Sequence, residues 1–163
     1  MGTPARALIL DNIKTTLAVI SIAGGYKTTV TKVERYLRDW ADVDPTEMPW
    51  IGFFPGAERP QHQPGEMLRM VMPIIVVAHI ETVVDEDLEV AHRDRTTKIS
   101  NLVDDIVAAL MVDIRRDSNA SSTRYIAPSQ TDEGVPDYVS DRGGVVSAQM
   151  NFEIVYFRTT GRS

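Results

Sequence analysis

The stretch MLRMVMPIIVVAHIE, residues 67–81, decides the fold of this chain. Its even-numbered positions carry an almost continuous apolar row, and its odd-numbered positions add two valines and an isoleucine. Successive side chains of a strand point to opposite faces, so this pattern predicts a central strand whose middle is covered on both sides. Pro73 cannot donate a backbone hydrogen bond, which predicts a sheet edge or a bulge in the early part of the strand.

A second stretch, residues 85–116, has the periodicity of a long amphipathic helix. Acidic residues at its start provide caps, and Arg115 and Arg116 place positive charge in the last turn, where the helix dipole favours it. Asp104 and Asp105 lie off the apolar stripe, so both are expected to face water. The stripe consists of Ile99, Leu102, Val103, Ile106, Val107, Leu110, Met111 and Ile114.

The remaining segments predict one more helix, further strands and two long loops. Apolar side chains recur at helical spacing over residues 4–22, with Thr3 and Pro4 as the start and two glycines at 24 and 25 as the stop. Residues 56–65 and 117–144 have the composition of surface loops. The predicted strands are residues 26–37, 48–54 and 145–159, with a short one around 123–127.

This order of elements predicts a single α+β domain spanning residues 1–163, with a long loop at about 117–144. The connections between the early strands are too short or too irregular for crossover helices. We therefore expect a mostly antiparallel or mixed sheet of four to five strands with two helices packed on one face.

The composition excludes several classes of protein. Seventeen basic and 23 acidic residues give a net charge of −6, the wrong sign for a protein that gains affinity by neutralising phosphates. The absence of cysteine excludes disulfides, thiolate zinc sites and thiol nucleophiles. The longest apolar run, residues 71–78, is far shorter than the roughly 20 residues of a membrane-spanning helix. No signal peptide is expected, because a basic start, an apolar block and a cleavage site are missing.

Few residues are candidates for catalysis or metal binding. His62, His79 and His92 lie in a loop, a strand and the start of the long helix, without a carboxylate at ligand spacing. We expect His62 and His92 to be solvated and His79 to lie on a partly exposed strand face. The acidic residues between 81 and 89 lack the central glycine of a calcium loop and are interpreted as a helix cap. No catalytic residue, cofactor or metal is therefore predicted.

Two further segments carry a family resemblance. They are GYKTTV, residues 25–30, which leads into a polar strand, and MPWIGFFPGAE, residues 48–58, which precedes the strongly apolar strand. Together with the order of the elements, they resemble the tail terminator, or tail completion, proteins of long-tailed bacteriophages. The resemblance covers most of residues 5–159.

The resemblance implies a structural role without catalysis or cofactor. Proteins of this family have an α+β fold related to that of tail tube proteins, and they cap the finished tube as hexameric rings. The implied partners are further copies of this chain, the tail tube protein, and a neck or head connector protein. The implied location is the virion tail, assembled in the host cytoplasm, with DNA passing through the ring and no membrane involved.

The ring contacts are expected on the exposed strand after residue 26, on the aromatic segment around residue 50 and on the two long loops. Phe53 and Phe54 point to opposite faces of a strand, so a subunit interface is one interpretation of these aromatic residues, but core packing is the favoured one. The candidate interface residues are Tyr26, Lys27, Thr29, Arg35, Trp50, Phe54, Arg59, His62, Arg124, Tyr138 and Arg142.

Three other functions remain open from the sequence. The nearest is another component of the head–tail connection, such as a neck or head completion protein. An enzyme would have to use His79, Glu81 and His92, and a deep pocket joining His79 to a carboxylate would distinguish it. A monomeric adaptor of the bacterial cytoplasm is the third.

Overall fold

The long strand predicted over residues 67–81 is confirmed with the same bounds and forms the centre of the sheet. The structure is a computed structural model that describes residues 4–62, 65, 67–82, 86–126, 138–142 and 144–159. In chain order, its helices and strands are α1 (Ala5–Ala18), β1 (Lys32–Glu34), β2 (Trp50–Pro55), β3 (Arg59–His62), β4 (Met67–Glu81), α2 (Leu88–Val112), β5 (Ser122–Ile126), β6 (Tyr138–Arg142) and β7 (Val145–Thr159).

The seven strands form one mixed, mostly antiparallel sheet, which confirms the α+β class and exceeds the predicted number of strands. β4 pairs with β7 over its whole length, from Met67 opposite Thr159 to Glu81 opposite Val145. The other side of β4 is shared by β2 and β3, and the other side of β7 by β5 and β6. Among the strands of the described residues, β1 and β2 form the one parallel pair.

Pro73 lies beside a gap between β2 and β3, where residues 56–58 face only residues 72 and 73 of β4, so the bulge expected in the early part of this strand is confirmed on its partner side. The β2 pairing ends opposite Ile74 and the β3 pairing begins opposite Val71. The carbonyl of Pro73 points into this gap and accepts from the backbone N–H of Gly56 at 2.8 Å. Since the N–H and C=O of one antiparallel residue point to the same side, the donor that proline lacks would face this gap.

Both helices pack on one face of the sheet, the face that carries the even-numbered residues of β4. Met72, Ile74 and Val76 are at most 1% exposed, and they belong to one apolar cluster with Ile13 of α1 and Leu102 of α2. Fully burying one such side chain contributes about 1.5–3 kcal/mol. This layer confirms the predicted placement of the helices.

The strand predicted over residues 26–37 is reduced to β1, and the first helix ends at Ala18 instead of residue 22. The intervening backbone binds local groups instead of a neighbouring strand. The N–H of Ile22 donates to Thr29 Oγ1 at 3.0 Å, and the N–H of Lys27 donates to Asp105 Oδ1 at 3.1 Å. These bonds fold the segment into a turn against α2.

The end of the long helix also differs from the prediction. α2 stops at Val112, and Arg115 and Arg116 lie in the following turn, where Arg116 has a positive φ of 47°. The guanidinium of Arg116 is fully buried and donates back to the carbonyl of Leu110, so it still complements the helix C-terminus. Asp105, expected to face water, is only 4% exposed.

Each long loop predicted from composition contains strand structure. Residues 59–62 form β3 against the first half of β4, although all four of its side chains are exposed. Within residues 117–144, β5 and β6 both pair with β7. β5 confirms the short strand predicted around residues 123–127, whereas β3 and β6 form by pairing with a long neighbouring strand despite their loop composition. Residues 63, 64, 127–137 and 143 of the two predicted loops lie outside the described part.

Candidate interaction surface

The face of the sheet away from the helices is only partly covered. Among the odd-numbered residues of β4, Val71 and His79 are buried, whereas Pro73, Ile75 and Val77 are partly exposed. The prediction that the middle of this strand is covered on both sides is therefore wrong, because α1 and α2 both pack on the opposite face.

An apolar and amide surface occupies this uncovered region. Phe54 of β2 is 50% exposed and lies opposite Ile75, which in turn lies opposite Asn151. The next row on this face joins Val77 to Gln149. We call this region the open face, defined by Phe54, Pro73, Ile75, Val77, Gln149 and Asn151.

Two arginines border the open face on its side near β3 and β5. Arg59 Nη2 lies 3.2 Å from Glu153 Oε2, and Arg124 Nη2 lies 3.3 Å from Glu153 Oε1. Both arginine side chains are about two-thirds exposed, at 65% and 68%. Exposed ion pairs contribute only about 0–1 kcal/mol to stability. Two cations share one carboxylate, so this border has an excess of positive charge.

The other end of the same face is closed by residues 36–48. Trp50 is fully buried and its ring stacks on His79, with ring centroids 5.3 Å apart. His79 Nε2 lies 2.8 Å from the carbonyl oxygen of Arg38, so this nitrogen carries the hydrogen. His79 Nδ1, 2.5 Å from Ser147 Oγ, then accepts from the hydroxyl. Burial lowers the pKa of His79 and so favours its neutral form.

Glu34 anchors the same closed end. Its Oε1 accepts from Trp50 Nε1 and from Arg38 Nη1, each at 2.9 Å. Burial alone would raise the pKa of Glu34, but hydrogen bonds from Tyr36, Trp50 and Arg38 outweigh burial and, with the charge of Lys32, lower this pKa to about 2. Glu34 is thus a structural anion that holds the indole in place.

The segment that closes this end has an acidic outer surface. Residues 36–47, which we call the acidic segment, expose Tyr36 and Leu37 at 49% and 40%. Two of its carboxylates cap short 3₁₀ turns, with Asp39 accepting from the N–H of Ala41 and Asp44 from that of Thr46. Within the described residues, Asp39, Asp42 and Asp44 are exposed and form no ion pair.

The structure brings together three of the residues predicted at an interface. Phe54 lies on the open face, and Arg59 and Arg124 form its basic border. His62 is exposed at the end of β3. The prediction that Trp50 is an interface residue is wrong, because its indole is buried under the acidic segment.

Four other predicted interface residues lie away from the open face. Tyr26 packs against the helix-side core, and Thr29 accepts from the backbone of Ile22. Lys27 Nζ pairs with Asp104 on α2 at 3.2 Å, and Arg35 pairs with Asp11 on α1 at 2.9 Å. Tyr138 and Arg142 are the first and last residues of β6.

The enzymatic alternative depends on the environments of His79 and His92. Both ring nitrogens of His79 are engaged by Ser147 and a backbone carbonyl, and His92 is exposed on α2. Over the described ranges, no group of three or more histidine, aspartate or glutamate side chains is placed to hold a metal ion. His79, expected on a partly exposed face, is 3% exposed.

A cleft of about 500 Å³ lies where α1 begins and β5 starts. Its described lining has one charged side chain, that of Arg115, among small polar and apolar groups, so it lacks an acid–base pair. The lining residues are Ala5, Arg115, Ser118, Asn119, Ala120, Ser121 and Phe157.

Comparison with models of protein families and with curated proteins gives no match for this chain. Neither α1 nor α2, the two helices of the described residues, combines the length and the apolar character needed to cross a bilayer. The candidate functional site of this chain is the surface formed by the open face with its basic border and by the acidic segment.

Sequence reasoning missed Ile75, Val77 and Glu153 as surface residues. The signal was present in the polar positions of β7, where Gln149, Asn151 and Glu153 alternate with apolar residues. Once β7 is known to pair with β4, these polar side chains and the odd-numbered residues of β4 must share one face, which predicts an open surface.

Proposed function

We propose that this chain is a structural protein of a bacteriophage tail, which caps the tail tube as a ring and presents a joining surface to the head or neck. The proposal rests on the resemblance to tail terminator proteins and is supported by the α+β fold with both helices on one face. In this role the protein acts by binding, and no bond is made or broken.

The observation that carries the proposal is the open face. A sheet that buries one face under helices and leaves Phe54 half exposed beside Ile75 and Val77 has an apolar surface available for another protein. Contiguous apolar patches of this kind mark interaction sites in folded proteins. The charged borders add the specificity that a ring component needs to select its partners.

The two segments that carry the family resemblance have structural positions that suit a common scaffold. Residues 25–30 form the turn that Asp105 holds against α2. Residues 48–58 contain β2 and end at Glu58, which accepts from the Tyr156 hydroxyl at 3.0 Å and pairs with Arg6 at 2.6 Å. Both segments thus join the helix layer to the sheet.

The test is the effect of the purified chain on polymerisation of the tail tube protein from the same genome. We expect added chain to stop elongation and to appear as a ring at one tube end in electron micrographs. Phe54→Ser should weaken capping, because it removes the most exposed apolar side chain of the open face. Val112→Ser, which changes a side chain 81% exposed on the helix side, is the matched control.

Two results would contradict the proposal. Tubes that grow to the same length with and without the chain would exclude tail termination. Binding to a neck or head connector without any effect on the tube would favour the alternative assignment to another part of the head–tail connection.

A further inference from the structure

The outer surface of the sheet has opposite charge at its two ends. The basic border holds Arg59 and Arg124 around a single carboxylate, whereas the acidic segment exposes Asp39, Asp42 and Asp44. Residues 71 and 79 of β4 mark the two ends, and eight residues of strand span roughly 26 Å at about 3.3 Å per residue. The two charged regions are therefore separate patches of one molecule.

Each patch combines its charge with exposed apolar side chains. Phe54 lies on the open face beside the basic border, and Tyr36 and Leu37 lie on the acidic segment. A surface that is apolar and basic complements a surface that is apolar and acidic in the sign of its charge, and both supply apolar contact. The chain itself thus supplies the complementary partner for each of its patches.

We infer that the acidic segment of one copy of this chain binds the open face and its basic border on a second copy. This contact joins two different patches, as head-to-tail association of identical subunits requires. It deepens the proposed function, on which it rests, because it assigns the two surfaces through which neighbouring ring subunits meet. Carboxylates of the acidic segment pair with Arg59 and Arg124, which Glu153 neutralises only in part.

The charge dependence of self-association tests this contact. We expect purified chain to associate in sedimentation experiments and to dissociate as salt is raised, since screening weakens exposed ion pairs. Arg59→Glu with Arg124→Glu should weaken self-association about tenfold or more, because like charges then face each other. Lys14→Glu with Arg93→Glu makes the same change in net charge on exposed helix positions and should leave association unchanged.

Charge exchange provides the second arm. Asp42→Lys should also weaken self-association, and mixing this variant with the doubly substituted arginine variant should restore it. Circular dichroism checks that each variant is folded. If Arg59→Glu with Arg124→Glu does not fold, Arg59→Gln with Arg124→Gln removes the positive charge and should still weaken association.

Disulfide trapping locates the contact directly, because the natural chain has no cysteine. An Asp42→Cys chain mixed with an Arg59→Cys chain should form a mixed disulfide dimer in preference to either homodimer. Lys14→Cys mixed with Arg59→Cys is the control and should give little product.

The inference is overturned by a chain that stays monomeric at its highest soluble concentration, by equal effects of the control substitutions, or by preferential Asp42→Cys homodimers. None of these results depends on tail tubes. A chain that still caps tubes in any of these cases would retain the proposed function and lose only the assigned contact.

Discussion

Replacing Gly52 by alanine should destabilise the closed end of the sheet severely. A Cβ atom at this position would lie 2.2 Å from Cη2 of Trp50 and 2.4 Å from the backbone oxygen of Tyr36. Non-bonded carbon atoms prefer about 3.5–4.0 Å, so neighbours must move by more than 1 Å. Trp50 has no free space, since it is fully buried, bonded to Glu34 and stacked on His79.

The expected cost follows from these contacts. Overpacking of a buried site typically costs about 1–3 kcal/mol. Displacing the backbone at residues 36–38 would also strain the hydrogen bond from His79 to the Arg38 carbonyl, and such a bond contributes about 0.5–1.5 kcal/mol. We therefore expect Gly52→Ala to lower the free energy of unfolding by about 3 kcal/mol.

Urea unfolding followed by tryptophan fluorescence measures this loss. Gly56→Ala is the matched control, because its Cβ would meet only Pro73, at 3.3 Å and 3.4 Å from the nearest ring atoms. That control should change stability by no more than about 1 kcal/mol in either direction. A loss below about 0.5 kcal/mol for Gly52→Ala, or equal losses for both variants, would refute the close packing of residue 36 on the sheet.

Three further predictions concern buried polar groups. Burial keeps the pKa of His79 below its ordinary 6.5. The stability that neutral His79 contributes above pH 6.5 is therefore lost as the pH falls below that value. His79→Gln should remove this loss in urea unfolding measured across pH 4.5–7.5. The pKa of Glu34 is lowered from 4.5 to about 2, so the stability that this carboxylate contributes above pH 4.5 is lost as the pH falls toward 2. Glu34→Gln should therefore flatten the dependence of the free energy of unfolding on pH in this acid range. Arg116→Met leaves the Leu110 carbonyl without its buried donor and should lower the free energy of unfolding by about 1–3 kcal/mol in the same assay. An unchanged urea midpoint would exclude a structural role for this guanidinium.

The elements with strong periodicity were predictable from the sequence. The bounds of β4 were confirmed, and the apolar stripe of α2 places Ile99, Leu102, Ile106 and Leu110 in the core. The stripe fails at its C-terminal end, where Met111 is 38% exposed and Ile114 lies beyond the helix. Periodicity describes a helix face but does not show where the sheet beneath it ends.

The strands β3 and β6 were not predictable, because their partners define them, whereas β2 and β5 were predicted over residues 48–54 and around 123–127. β1 keeps only three residues of the strand predicted over 26–37, those that pair in parallel with β2, and β3, which contains Pro60, exposes all four of its side chains. The composition of β3 does not distinguish it from a loop. The same limit applies to Trp50, whose burial depends on a segment about ten residues earlier folding back over the sheet.

The acidic segment contributes to the stability of the fold through its inner side and to the proposed contact through its outer side. Its inner side is structural, because Val43 packs with Trp50 in a second apolar cluster, together with Met48, which follows the segment. Its outer side carries exposed carboxylates that form no ion pair in the described residues, and surface charges of this kind usually change stability by less than about 0.5 kcal/mol. Substitutions on the inner side should therefore unfold the closed end, whereas Asp42→Lys, which removes neither the Asp39 cap nor the Asp44 cap, should change association alone. If this carboxylate variant lost stability in proportion to association, the outer side would belong to the fold, and the open face would require a different partner.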